Sequence, residues 1–169
     1  MTAADALIPA ATLAAIEKRR DAGERIVFTN GCFDLLHPGH VTGLRAARAL
    51  GDLLVVGLNS DASVRELKGA GRPVMPEIAR ADLLTELRSV DHVIVFTALS
   101  PLELIRALRP DVYVKGADWR GRPLAEADLV REQGGEVAFL DLVSGYSTTS
   151  IIEGIRAVPL SDAETSDAD

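Results

Sequence analysis

Residues 25–50 read RIVFTNGCFDLLHPGHVTGLRAARAL, in which a short apolar run leads through a glycine- and histidine-containing loop into a helical pattern. Arg25–Asn30 is rich in β-branched and aromatic residues, which is typical of a buried strand. Pro38 stands at the start of the helical pattern Pro38–Leu50, where its missing N–H costs nothing, and Gly51 follows the last residue. The stretch therefore predicts a strand, a loop and a helix in that order.

The same alternation of strand and helix patterns continues along the chain. Further apolar runs predict strands over Asp52–Asn59, His92–Phe96, Asp111–Val114 and Glu136–Leu140. Apolar residues at helical spacing predict helices over Glu77–Val90, Pro101–Leu108, Leu124–Gln133 and Thr148–Arg156. Continuous apolar runs suit strands that are covered on both faces. The sequence thus predicts an α/β fold with a five-stranded parallel sheet, right-handed crossovers and helices on both faces.

Composition excludes several classes of protein. The chain has 169 residues, a size typical of one domain, and its single cysteine, Cys32, excludes an internal disulfide and a CxxC metal site. A net charge of −7 argues against nucleic-acid binding. The longest uncharged run has eleven residues, too few to cross a membrane, and Asp5 precedes any basic residue, unlike a secretory signal. We therefore expect a soluble cytoplasmic protein without nucleic-acid or membrane partners.

The tetrapeptide HPGH holds two of the three histidines, His37 and His40, just after the first predicted strand. Ligands of open α/β sheets bind at the carboxyl ends of strands. The free N–H groups of the following helix start favour an anion, and Gly39 lets a phosphate approach the main chain. The pattern predicts a phosphate site, with two helix-start histidines and no ligand as the alternative. No lysine follows a glycine, so a P-loop is absent, and the few Cys and His residues argue against a zinc site.

Four segments resemble a known family. TNGCFDLLHPGH (29–40) resembles the signature of the HxGH nucleotidyltransferase superfamily, whose members are cytidylyltransferase-like. NSDASVRELKGAGRPV (59–74), PLELIRALRPDVYVKGADW (101–119) and GYSTTSIIEGIR (145–156) are similar to D-glycero-β-D-manno-heptose 1-phosphate adenylyltransferases. The resemblance covers about residues 24–157, and HxGH alone identifies only the superfamily.

The resemblance implies a single Rossmann-like domain with strand order 3-2-1-4-5. It divides the chain into an N-terminal extension and helix (1–23), the nucleotidyltransferase domain (24–157) and an acidic tail (158–169), which we expect to be disordered. Many relatives carry a fused heptose kinase, so this chain would be the stand-alone form, with a separate heptose kinase acting upstream. A homodimer is a further expectation from the resemblance.

The implied reaction is direct attack of a sugar phosphate oxygen on the α-phosphorus of ATP, which is accompanied by Mg²⁺. The attacking phosphate is already an anion, so positioning and electrostatic stabilisation are the expected means of catalysis. Alternatives are a cytidylyltransferase acting on glycerol 3-phosphate or another phosphorylated acceptor, and a non-catalytic nucleotide-binding sensor of the same fold.

The resemblance also implies roles for individual residues. The expected catalytic residues are His37, His40, Lys68 and Lys115. The residues expected to bind the nucleotide are Asn30, Gly31, Cys32, Phe33, Gly39, Arg72, Ser147, Thr148 and Thr149. Asp34 and Asp61 are expected on the acceptor side, and no residue is assigned as a metal ligand.

Several of these residues have a plainer alternative. Asp34 would instead cap the turn, and Lys68 and Arg72 would be solvated loop cations. The serine and threonine segment 147–149 would act as an ordinary helix cap. Other branches of the superfamily carry an arginine near that segment; here Lys115, Arg72 or Arg80 would supply the charge. We interpret Cys32 and His92 as structural, and Tyr146 as packing or stacking on a base.

Overall fold

The structure is a computed structural model that describes residues 8–141 and 145–158 of the chain. One sheet contains the strands β1 (Ile26–Gly31), β2 (Leu53–Asn59), β3 (His92–Phe96), β4 (Val112–Gly116) and β5 (Glu136–Leu140). All neighbouring strands pair in parallel in the order β3-β2-β1-β4-β5. This confirms the predicted sheet and strand order. The crossovers change direction at β1, so the switch point lies between β1 and β4.

Seven α-helices occur within the described residues. They are α1 (Ala10–Asp21), α2 (Pro38–Arg48), α3 (Asp61–Lys68), α4 (Glu77–Thr85), α5 (Leu102–Leu108), α6 (Ala125–Glu132) and α7 (Thr148–Ala157). A short 3₁₀ turn, Ala117–Trp119, follows β4. Helix α3 was not predicted, although Ser60 is a typical N-cap residue and its side chain accepts a hydrogen bond from the Ser63 N–H.

Two hydrophobic clusters cover the two faces of the sheet. Ile16 of α1 and Leu104 of α5 belong to one cluster, with Phe28 of β1. Leu44 of α2 and Leu84 of α4 belong to the other. The predicted helices on both faces are therefore confirmed. The first cluster also contains Ile8, which is only 1% exposed, so the chain already packs on the core before α1 begins.

Some boundaries differ from the prediction. Helix α4 ends at Thr85 rather than Val90, because residues 86–90 form turns with bonds such as Val90 N–H to Leu87 O. In these turns the apolar residues keep a spacing of three to four positions, as in a helix, which is why the prediction extended the helix to Val90. Of the predicted tail 158–169, only Val158 is among the described residues. Within residues 8–141 and 145–158, no helix is long and apolar enough to cross a membrane.

Candidate functional site

The loop between β1 and α2 has an unusual backbone. Phe33 and Leu35 have φ angles of 45° and 50°, so two non-glycine residues adopt the left-handed region on either side of Asp34. Asp34 itself is only 1% exposed. The alternation turns the Asp34 carboxylate inward, beneath the loop, rather than toward solvent.

Three donors from the glycine-rich loop between α3 and α4 surround this carboxylate. Asp34 accepts hydrogen bonds from Arg72 Nε at 2.6 Å, Val74 N–H at 2.8 Å and Met75 N–H at 3.0 Å. Burial raises the pKa of Asp34, but these hydrogen bonds outweigh it, and the pKa lies below its ordinary value. Asp34 thus connects two loops, in line with the alternative that it caps the turn. Its buried carboxylate is not accessible to a bound acceptor.

Arg80 makes a second connection between the same loops. Its side chain is fully buried and donates to the main-chain carbonyls of Met75 and Cys32, and to Asp61 Oδ1 at 2.7 Å. Arg80 therefore lies beneath the loops and cannot supply charge directly to a ligand, as one alternative had it. Asp61, expected on the acceptor side, is the ion-pair partner of Arg80. Burial raises the pKa of the Cys32 thiol, which suits the packing role interpreted from the sequence.

The two histidines of HPGH stack on each other. Their ring centroids are 3.8 Å apart with an interplanar angle of 21°, and Phe33 packs against His40 at 5.3 Å. Both Nδ1 atoms are buried and have no hydrogen-bond partner within the described ranges. A Cβ on Gly39 would lie 2.9 Å from His37 Nδ1, so the close packing of the imidazole requires glycine at this position.

Burial keeps both imidazoles neutral at neutral pH. It lowers the pKa of His40 to about 4, with a further lowering by His37 and a smaller opposing effect of Asp34. Burial also lowers the pKa of His37. A bound anion would favour the charged form of either ring. The stack can therefore donate to a phosphate and increase in charge as the phosphate binds.

The lowered pKa of His40 predicts a pH-dependent stability. In the folded chain His40 stays neutral down to about pH 4, whereas the unfolded chain takes up the proton near 6.5. The unfolded state binds more protons between these values, so stabilisation present above pH 6.5 is lost as the pH falls toward 4. The full shift corresponds to about 3 kcal/mol. Denaturant unfolding from pH 4 to 7 should show a weaker pH dependence for His40→Gln; an unchanged dependence would contradict the assignment.

The first turn of α7 lies against the β1–α2 loop. Ser147 caps the helix through a reciprocal pair of hydrogen bonds with Ser150, a role that is compatible with binding a phosphate at the same helix start. Thr148 Oγ1 donates to the Asp34 carbonyl at 2.6 Å, and Tyr146 lies parallel to His37 with ring centroids 6.5 Å apart. The N-terminus of α7, with its exposed N–H groups, therefore faces the histidine stack.

Two cavities meet at the histidines. The first, which we call the basic cavity, has a volume of about 350 Å³ and is lined by His37, Gly39, His40, Lys68, Arg72, Tyr146, Ser147, Thr148 and Thr149. The second, the strand-end cavity, has about 240 Å³ and is lined by Asn30, Gly31, Cys32, Phe33, Gly39, His40, Gly43, Leu44, Ala47, Lys115, Asp141 and their neighbours. Gly39 and His40 line both, so a group bound at the start of α2 reaches either cavity.

Lys115 enters the strand-end cavity from β4. Its Nζ lies 3.2 Å from Asn30 Oδ1 and 5.3 Å from the centre of the Trp119 ring. Burial lowers the pKa of Lys115, against the attraction of Glu126 and other nearby groups. Tyr113, which the sequence analysis read only as an apolar strand residue, donates its hydroxyl to the same Asn30 oxygen.

The structure thus places the predicted site residues in three groups. The predicted histidines, the cations of the glycine-rich loop and the segment 147–149 line the basic cavity, and the predicted residues that end or follow β1 and end β4 line the strand-end cavity. Asp34 and Asp61 lie below both cavities in ion pairs with Arg72 and Arg80. Among the described residues, no cluster of three or more His, Cys, Asp or Glu side chains could hold a metal ion.

Comparisons with known proteins identify the family. The family model described as cytidylyltransferase-like matches residues 28–154. The bifunctional protein HldE of Syntrophotalea carbinolica is 56% identical over 140 residues, which cover 83% of this chain and 28% of that protein. HldE of Gluconobacter oxydans is 51% identical over 155 residues, covering 91% and 32%. The chain thus spans about a third or less of these relatives.

A solved structure is also similar. The lipopolysaccharide core biosynthesis protein from Thermoplasma volcanium superposes with a TM-score of 0.60 at 28% identity. The match covers 74% of this chain and all of that one.

Proposed function

Because the chain belongs to the cytidylyltransferase-like family, we propose that it transfers a nucleotidyl group from a nucleoside triphosphate to a phosphorylated acceptor. The proposed donor is ATP and the proposed acceptor is D-glycero-β-D-manno-heptose 1-phosphate, giving ADP-heptose and pyrophosphate. One observation carries the proposal: the basic cavity brings His37, His40, Lys68, Arg72 and the first turn of α7 together around one space. Such a set of donors suits a triphosphate.

The chemistry is a single displacement at the α-phosphorus. An oxygen of the acceptor phosphate forms a bond to this phosphorus, and the bond to the bridging oxygen of the β-phosphate breaks. The bridging oxygen keeps the electron pair and leaves as part of pyrophosphate. No side chain has to remove a proton, since the acceptor oxygen is already anionic at neutral pH.

The residues of the two cavities then have distinct roles. The α-phosphate would lie beside His40 and Gly39, the two residues that both cavities share. The pyrophosphate portion would occupy the basic cavity, where Lys68, Arg72 and the N–H groups of α7 stabilise the charge that develops on leaving. The preorganised loops make these donors available without rearrangement.

Mg²⁺ is expected to accompany the nucleotide, as it generally does in nucleotidyl transfer. No residue was predicted as a metal ligand, and the nearby carboxylates Asp34 and Asp61 form ion pairs with Arg72 and Arg80, so phosphate oxygens and water would supply the ligands of the ion. The ion would neutralise phosphate charge during transfer.

The choice of ATP and heptose 1-phosphate rests on similarity. The segments 59–74, 101–119 and 145–156 resemble heptose 1-phosphate adenylyltransferases, and the two HldE relatives are more than half identical to this chain over 140 and 155 residues. An acceptor that carries an anomeric phosphate implies a kinase upstream, which we propose acts as a separate domain or protein. A homodimer remains a proposal from the family resemblance.

The test is pyrophosphate release with each of the four nucleoside triphosphates against heptose 1-phosphate, mannose 1-phosphate and glycerol 3-phosphate. We expect turnover with ATP and heptose 1-phosphate, and its loss in His40→Ala. Turnover with CTP and glycerol 3-phosphate would contradict the proposed substrates but support the proposed nucleotidyl transfer. ATP binding without turnover on any acceptor would contradict the proposed enzymatic activity and favour the nucleotide-binding sensor.

A further inference from the structure

One side-chain oxygen at the switch point accepts two hydrogen bonds. Asn30 Oδ1, at the end of β1, lies 2.8 Å from the Tyr113 hydroxyl and 3.2 Å from Lys115 Nζ, both on β4. Residues 28 and 29 of β1 pair in register with residues 113 and 114 of β4, so the adjoining residues at the strand ends lie side by side. The contact joins the two strands where the sheet changes direction.

This arrangement determines what Asn30 and Lys115 can offer a ligand. A carbonyl oxygen has two lone pairs, and both are used here, so the Asn30 amide has only its two N–H donors left for a ligand. Lys115 uses one of its three ammonium donors on Asn30. Both residues line the strand-end cavity. They therefore form a pair of donors suited to a phosphate or sugar oxygen.

Tyr113 is held rigidly behind this pair. Its side chain is fully buried, and its ring stacks on Phe28 with centroids 5.9 Å apart at 18°. It is absent from the lining of both described cavities. Burial raises the pKa of the hydroxyl, so Tyr113 remains a donor at neutral pH. The Tyr113 hydroxyl and the Lys115 ammonium, which can only donate, together hold the Asn30 amide oxygen toward β4.

We infer that Tyr113 is a positioning residue that orients the Asn30 amide and, through it, the Lys115 ammonium toward the phosphorylated acceptor. The inference rests on the proposed function for the identity of that acceptor. The orientation itself depends on the hydrogen bonds that Tyr113 and Lys115 donate to Asn30, and it can be measured without turnover.

Tyr113→Phe removes the hydroxyl and keeps the ring that stacks on Phe28. We expect kcat/KM for the acceptor to fall about tenfold, the ratio that one hydrogen bond supplies, with KM for ATP little changed. In an Asn30→Ala background the same substitution should have no further effect, because its action passes through Asn30. An equal further loss in that background would overturn the inference.

A matched control and a spectroscopic readout separate positioning from stability. Ser63→Ala removes another buried hydroxyl, outside both cavities, and should lower the melting temperature similarly without changing acceptor KM. The ¹⁵N side-chain amide resonances of Asn30, assigned with Asn30→Ala, should shift in Tyr113→Phe. Unchanged resonances would overturn the positioning role. If the wild-type protein shows no turnover but the Asn30 resonances shift in Tyr113→Phe, only the proposed function is overturned.

Discussion

Replacement of His40 by alanine lowers kcat for pyrophosphate release by about 10²-fold or more, as expected for the loss of one transition-state donor. His40 lines both cavities, so it lies where the α-phosphate would meet the attacking acceptor on one side and the departing pyrophosphate on the other. Among residues 8–141 and 145–158 its buried Nδ1 has no hydrogen-bond partner, so packing rather than a hydrogen bond at this atom holds the imidazole. Removing it should therefore leave the loop shape intact.

His92→Ala is the control for this prediction. His92 lies on β3, away from both cavities, and is the remaining histidine of the chain. Burial lowers its pKa as it does for His40, so the control matches residue type and environment but not position. Near wild-type kcat in His40→Ala, or an equal loss in His92→Ala, would remove His40 from the mechanism. Circular dichroism and the melting temperature of each variant check the fold.

The fold was predictable because its signals are local. Continuous apolar runs separated by helical patterns indicate a parallel sheet, and all five predicted strands are present with ends shifted by two residues or fewer. The strand order came from the family resemblance, and the structure confirms it. Helix α3 was missed because Val64 and Leu67 are its only large apolar residues, which gives a weak periodic signal, although its cap at Ser60 could have been recognised.

The arrangement beneath the cavities was not predictable from residue types. Asp34 and Arg72 are 38 positions apart, and Arg80 and Cys32 are 48 apart, so nothing local indicates that they meet. An arginine or lysine near a glycine-rich loop suggests a phosphate ligand. The sequence does not indicate whether its side chain points into the cavity or into the core. Tyr113 was hidden in a strand pattern for the same reason, since its ring obeys the apolar rule while its hydroxyl serves the site.

The second large effect concerns the buried pair of Arg80 and Asp61. Asp61→Ala leaves the fully buried Arg80 without its carboxylate and should lower the free energy of unfolding by about 3 kcal/mol. The neutral double variant Arg80→Met with Asp61→Asn removes both charges, which is often nearly neutral for stability. It also frees the carbonyls of Cys32 and Met75, which Arg80 holds. We expect it to fold and to bind ATP at least tenfold more weakly by calorimetry.

The control is the same exchange in a more exposed ion pair at the other end of the sheet. Arg48 Nε lies 3.0 Å from Asp91 Oδ2, and Arg48 also donates to the Gly51 carbonyl, near the amino ends of the strands. Arg48→Met with Asp91→Asn should fold and leave ATP affinity unchanged. If both double variants bind ATP like the wild type, the loops keep their shape without Arg80. If only the Arg80 variant weakens binding, the buried pair positions the main chain that surrounds the phosphates.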